Sequence, residues 1–95
     1  MTDALAGTAV PRLARGVRLR RDEARASWVL LAPERVLKAD QIAVEILKRV
    51  DGTRRLDDIV DELARSFAAD RARVDADVRG FLAGLAEKGL VEYGP

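Results

Sequence analysis

The hydrophobic pattern starts without a period and then alternates. Met1 to Ala9 is small and polar, with Gly7 and Thr8, and predicts a flexible tail over residues 1–10, order starting at Pro11. Val17-Arg18-Leu19-Arg20-Arg21 alternates apolar and basic, which predicts a half-exposed strand with Val17 and Leu19 inward and Arg18 and Arg20 toward water. Asp22-Glu23-Ala24-Arg25 is a polar turn. Ser27 to Leu31 is apolar on both parities and predicts a central strand buried on both faces. Pro33 ends it, because proline has no N–H to give the ladder. Arg35-Val36-Leu37-Lys38 predicts a short third strand, and its flanking proline and charge suit a sheet edge.

After Asp40 the period changes from two to 3.6. Asp40 predicts the cap of a helix with Ala43, Ile46, Leu47 and Val50 on one face, ended by Asp51-Gly52 with the glycine in the left-handed position. A second helix carries Leu56, Ile59, Val60, Leu63 and Phe67, with Asp57 and Asp58 in the first turn, where they favour the helix dipole. Asp70 caps a third, with Val74, Val78, Phe81, Leu82 and Leu85 along one stripe and Gly89 at its end. Gly80 and Gly84 inside it cost helix propensity, about 1 kcal/mol each, and imply close packing or close backbone approach. Leu90 to Tyr93 can extend once more. The predicted class is α+β: an N-terminal three-stranded antiparallel sheet followed by a three-helix bundle.

Composition removes most chemistry. The 95 residues make one small domain, and they include no cysteine and no histidine, so thiol chemistry, disulfides and Cys/His zinc sites are excluded. Ser27 and Ser66 are the serines, and no imidazole exists to activate either. Asp57, Asp58, Asp61 and Glu62 flank the apolar stripe of the second helix and read as a solvated face, as do Asp75 and Asp77 on the third. Trp28 reads as a core anchor. No catalytic residue, metal or cofactor is expected. No basic n-region or apolar run marks a signal peptide or a membrane span, and a cysteine-free chain fits the cytoplasm.

Charge then separates two kinds of binding. Residues 1–39 hold eight basic side chains against four acidic, a balance of +4, and the remainder carries −3. Three helices with a β-hairpin also describe a winged helix, whose third helix would enter a DNA groove. From Asp70 to Lys88, however, four basic residues meet four acidic ones, and a duplex reader needs a net basic face. A DNA-binding regulator is therefore the lesser alternative, and neither nucleic acid nor membrane is an expected partner. The predicted edge strand offers another use: an extended peptide can add to it through main-chain hydrogen bonds, with side chains dropping against the third helix. An open edge also permits strand exchange, so either a monomer or a homodimer is compatible.

The residues carry a family resemblance over nearly the whole length from Pro11. Pro11-Arg12-Leu13-Ala14-Arg15-Gly16-Val17-Arg18-Leu19 is followed by Val29-Leu30-Leu31-Ala32-Pro33-Glu34-Arg35-Val36-Leu37, then Glu45-Ile46-Leu47, Asp51-Gly52, Asp77-Val78, Phe81-Leu82 and Lys88-Gly89-Leu90-Val91. This ordered set resembles the PqqD family, the peptide chaperones of pyrroloquinoline quinone (PQQ) biosynthesis. That family is an example of the recognition element of pathways for ribosomally made, modified peptides (RiPPs). Arg55 departs from the Thr or Ser common at the start of the second helix, with Thr53 two residues earlier, which implies a shifted cap. The resemblance implies a winged-helix-like recognition domain over 11–95. It also implies binding of the precursor peptide PqqA and its presentation to the radical-SAM enzyme PqqE. A recognition domain of another modified-peptide pathway is the near alternative. Carried over, the resemblance picks Arg35, Val36, Leu37 and Lys38 for backbone pairing, and Val74, Asp75, Val78, Arg79 and Leu82 on the third helix. Val74, Val78 and Leu82 fit a plain core role equally well.

Overall fold

The periods become five strands and three helices in the computed structural model: β1 (Val10–Leu13), β2 (Arg18–Asp22), β3 (Ser27–Ala32), β4 (Arg35–Ala39), α1 (Gln41–Lys48), α2 (Leu56–Ser66), α3 (Arg71–Glu87) and β5 (Val91–Gly94). Residues 6–94 are described. The class is α+β with antiparallel sheets. It contains two sheets rather than one: β2-β3-β4, and a separate pair of β1 with β5. The pair sets Pro11 opposite Tyr93 and Leu13 opposite Val91, joining the two ends of the chain.

In β2-β3-β4 the register lines up Leu19, Leu30 and Leu37. Directly opposed residues share a face, and this row faces the helices, with Leu30 only 2% exposed. The opposite parity puts Arg18, Leu31 and Val36 in one row and Arg20, Val29 and Lys38 in the next. β3 is central, as expected, but it is not buried on both faces. Leu30 is its one buried residue, and Val29 and Leu31 lie outside the core cluster. Apolar side chains on an uncovered face produced the double-parity pattern. Trp28 is half-buried at the sheet end, with the Lys48 ammonium 5.5 Å from its ring centroid.

The helices start where short polar side chains can reach back. Asp40 accepts the Ala43 N–H at 2.8 Å and Asp70 accepts that of Arg73 at 3.3 Å. Arg55 has no acceptor to offer at the head of α2. The Asp58 carboxylate instead accepts the Arg55 N–H at 3.0 Å, and the free N–H groups of Leu56 and Asp57 donate to the carbonyls of Ala9 (2.8 Å) and Gly7 (3.0 Å). The cap is therefore supplied by the N-terminal segment, and Thr53 serves the preceding turn by bonding Asp51. Met1 to Leu5 of the expected tail lie outside the described residues. From Ala6 the chain is tied down, with Ala9 buried and Val10 in β1.

Helix ends follow the same local logic. Gly89 at φ +76° gives its N–H to Ala86, and Leu90 gives its own to Leu85, the paired bonds of a Schellman stop. Gly52 is left-handed as expected, but α1 has already ended at Lys48, so Gly52 shapes the following turn and donates to Pro11. The core gathers Leu30, Ile46, Leu56, Ile59, Val60, Val78 and Leu82 among others. Phe67, expected in it, lies past the end of α2 and is 45% exposed. Gly80 and Gly84 do not serve packing, because a Cβ at either would meet nothing within 4 Å.

Candidate functional site

β4 lies at the edge of its sheet, paired to β3 on one side. Alternate N–H and C=O groups of such a strand point away from the partner. Among the described residues, no loop or cap backbone bond reaches Arg35 to Ala39. Beside this edge a groove runs along α3. Its upper part, about 190 Å³, lies between Leu37 and Ala39 of β4 and Phe81 and Leu85 of α3, with Lys38 and Lys88 at the rim. A hollow of about 380 Å³ continues it past Asp40, Ile42, Asp77 and Phe81. The far end, about 180 Å³, is lined by Ile42, Phe67, Val74 and Val78. The three share Phe81, Ile42 and Asp77 in turn, so they form one apolar trough with Lys38 and Lys88 at the β4 end, Asp40 and Asp77 midway and Arg73 at the far end.

The residues singled out from sequence are divided by this geometry. Arg35 to Lys38 form the edge; Leu37 turns into the trough, Val36 turns to the other face, and Lys38 borders the trough as well as its register row. Val74 is half-buried and Val78 is 1% exposed, and both line the far hollow. Leu82 is fully buried in the core and touches none of the three hollows. Asp75 and Arg79 stand on the flank of α3 nearest α2, where they pair with each other. There Arg71 also reaches Asp57 at 3.6 Å and Asp75 at 3.5 Å, and bonds Asp61. Asp57 and Asp61 of α2 are thus about half exposed, as a solvated face requires, and also pair with Arg71 across to α3, while Glu62 separately meets Arg49 and Arg54 (3.2 and 2.9 Å). A step of about 100° per residue explains the division: Asp75 and Arg79 fall on a different side from Val74, Asp77 and Phe81.

Trough residues outside the sequence-derived set include Ile42, Asp77, Phe81, Leu85 and Lys88. The signal for them was the spacing of Asp77, Phe81 and Lys88 on one side of the helix. The apolar stripe assigns Phe81 and Leu85 to the core, and both pack there, Leu85 buried and Phe81 partly buried, while each also lines the trough. Among the described residues no group of three or more His, Cys, Asp or Glu could hold a metal ion, and no helix is long and apolar enough to cross a membrane. The trough can therefore offer main-chain bonds, apolar contact and a few charges.

A family model described as coenzyme PQQ synthesis protein D (PqqD) matches residues 27–91. The chain belongs to the PqqD family. A PqqA binding protein of Rhodopseudomonas palustris (strain HaA2) is 53% identical over 85% of this chain and 79% of its own length. One from Xanthomonas oryzae pv. oryzae (strain PXO99A) is 52% identical over 85% and 88%. In Methylorubrum extorquens the bifunctional coenzyme PQQ synthesis protein C/D is 49% identical over 94% of this chain and 24% of its own length. The solution NMR structure of the PqqD truncation of Methylobacterium extorquens PqqCD is described as a functional and stand-alone RiPP recognition element. It matches at TM-score 0.78 and 47% identity over 96% of this chain and 99% of that one. The crystal structure of PqqD from Xanthomonas campestris matches at 0.58 and 46% identity, over 82% and 87%.

Proposed function

We propose that this PqqD-family chain is a non-catalytic peptide chaperone that binds PqqA and presents it to PqqE. The observation that carries the reading is the open β4 edge lying directly over an apolar trough walled by α3. An extended peptide would pair its backbone with Arg35 to Lys38 and send alternate side chains down toward Leu37, Phe81 and Leu85. The relatives named PqqA binding proteins, at 52–53% identity, support PqqA as the ligand. The three helices with β2-β3-β4 are read here as a winged-helix-like recognition domain, and the residues offer positioning rather than a nucleophile or an imidazole base.

Titration of ¹⁵N-labelled protein with PqqA tests the reading. The expected result is saturable shifts along Arg35 to Lys38 and at Phe81, Leu85 and Lys88. A PqqA titration that leaves β4 unmoved overturns edge pairing. Saturable binding of a leader from another modified-peptide pathway, without PqqA binding, transfers the chain to that pathway.

A further inference from the structure

A second surface lies on the side of the β2-β3-β4 sheet turned away from the helices. Register places Arg18-Leu31-Val36 and Arg20-Val29-Lys38 there as adjacent cross-strand rows. Val29, Leu31 and Val36 are not among the residues packed on the core, and Val36 is 62% exposed. Together they line a shallow depression of about 400 Å³ that Arg20, Arg21, Asp22 and Glu23 also line, the two carboxylates paired with Arg25 (3.9 Å) and Arg21 (3.8 Å). Among the described residues Arg18, Arg20 and Lys38 make no ion pair, in contrast to the neutralised charges between α2 and α3. The result is an aliphatic centre whose two neighbouring carboxylates, Asp22 and Glu23, are already paired, leaving Arg18, Arg20 and Lys38 as the unneutralised charges of this face.

We infer that this sheet face docks a partner protein, on a surface whose apolar centre is ringed by carboxylates. Charge complementarity fixes the sign of the partner, and the aliphatic centre fixes its class. Nucleic acid is disfavoured because the centre has no aromatic ring to stack a base and the carboxylates of Asp22 and Glu23 line the same depression. The inference rests on the peptide-presenting reading in one respect. A strand added to β4 would project every second side chain onto this same face, beside Val36 and Lys38. A protein docked here would then touch the chain and its cargo together, which is what presentation to an enzyme requires.

The test compares Arg18→Glu/Arg20→Glu with the unsubstituted protein. Both side chains are exposed. PqqA affinity is measured by calorimetry, and affinity for immobilised PqqE is measured with the peptide bound. Expected are PqqA affinity within about twofold, PqqE affinity reduced at least about tenfold, and weakening of the unsubstituted complex by added salt. Arg18→Gln/Arg20→Gln gives a smaller loss of the same kind and serves if the reversed pair does not fold. PqqE binding unchanged in the variants overturns the docking face and leaves the peptide reading intact. Loss of PqqA and PqqE binding together, in a folded variant, overturns the separation of the two surfaces. An unsubstituted chain that binds PqqA but never PqqE overturns PqqE as recipient, and the docking face with it. Duplex DNA captured by this face in place of PqqE also overturns the inference.

Discussion

Glu34 holds the entry to β4 in a conformation that side chains avoid, with φ +63°. Ala32 pairs with Arg35, so Pro33 and Glu34 alone make the connection. Proline suits the first central position of such a turn, and a positive φ at the second suits glycine or asparagine. Glu34→Asn is expected to stabilise the fold by about 0.5–1 kcal/mol. Calorimetry should show the midpoint rise by about 3–6 °C, and an unmoved midpoint would deny strain at this turn. Asp51 acts through pH. Its carboxylate accepts the N–H groups of Arg54 (3.0 Å) and Thr53 (2.9 Å) and the Thr53 hydroxyl, which together hold its pKa at about 2 instead of 3.8. A depressed folded pKa stabilises above the unfolded value and is lost as pH falls from 3.8 toward 2. With the side chain 37% exposed, solvent screening leaves about 1 kcal/mol. Urea midpoints should show Asp51→Asn weaker than the unsubstituted chain near neutrality, with the difference shrinking below pH 3.8 and vanishing only below about pH 2. Features closed within a few residues were legible in sequence, as Asp40 and Asp70 show. The cap at Arg55 was not, because its acceptors, Gly7 and Ala9, come from the other end of the chain.

At the scale of elements, α3 does two jobs on two flanks. One carries Leu82 into the core, and the other presents Asp77 and Lys88 to the trough; Val74, Val78, Phe81 and Leu85 between them pack on the core and also line the trough. The 3.6 period showed the first flank plainly. It could not show that Phe81, which packs on the core, also lines the trough, because an apolar side chain at an open trough has the same spacing as one filling an interior. Gly84 falls between Phe81 and Lys88 on the trough side, and a Cβ there has free space. Gly84→Ala should therefore stabilise the helix by up to about 1 kcal/mol. If the trough holds a peptide backbone against α3, the same substitution weakens PqqA binding by about three- to tenfold. Thermal melts and PqqA calorimetry on one preparation separate the two effects. A stabilised variant with undiminished affinity would show that the glycine does not serve the ligand.

At the scale of the whole molecule, the N-terminal residues decide how α2 and the end strands are held. Hydrophobic period cannot reveal such a closure, because the two partners are separated by most of the sequence. β1 pairs with β5, Gly52 donates to Pro11, and the head of α2 is capped by carbonyls of Gly7 and Ala9. Ala14 then accepts no bond from this clamp but donates to Leu90, fixing the far side of β1 to the chain end. Removing residues 1–9 takes away both backbone caps on α2 and the buried Ala9 methyl. The expected loss is about 2 kcal/mol, from two unsatisfied helix N–H groups and a small apolar burial. That corresponds to a fall of about 10 °C in the thermal midpoint. Because none of the described residues 6–9 lines the trough, PqqA should still shift Arg35 to Lys38 at temperatures well below the lowered midpoint. A truncated chain that melts with the full one would show that this segment adds nothing to the fold. A folded truncated chain that no longer binds PqqA would place part of the binding surface at the N-terminus rather than along β4 and α3.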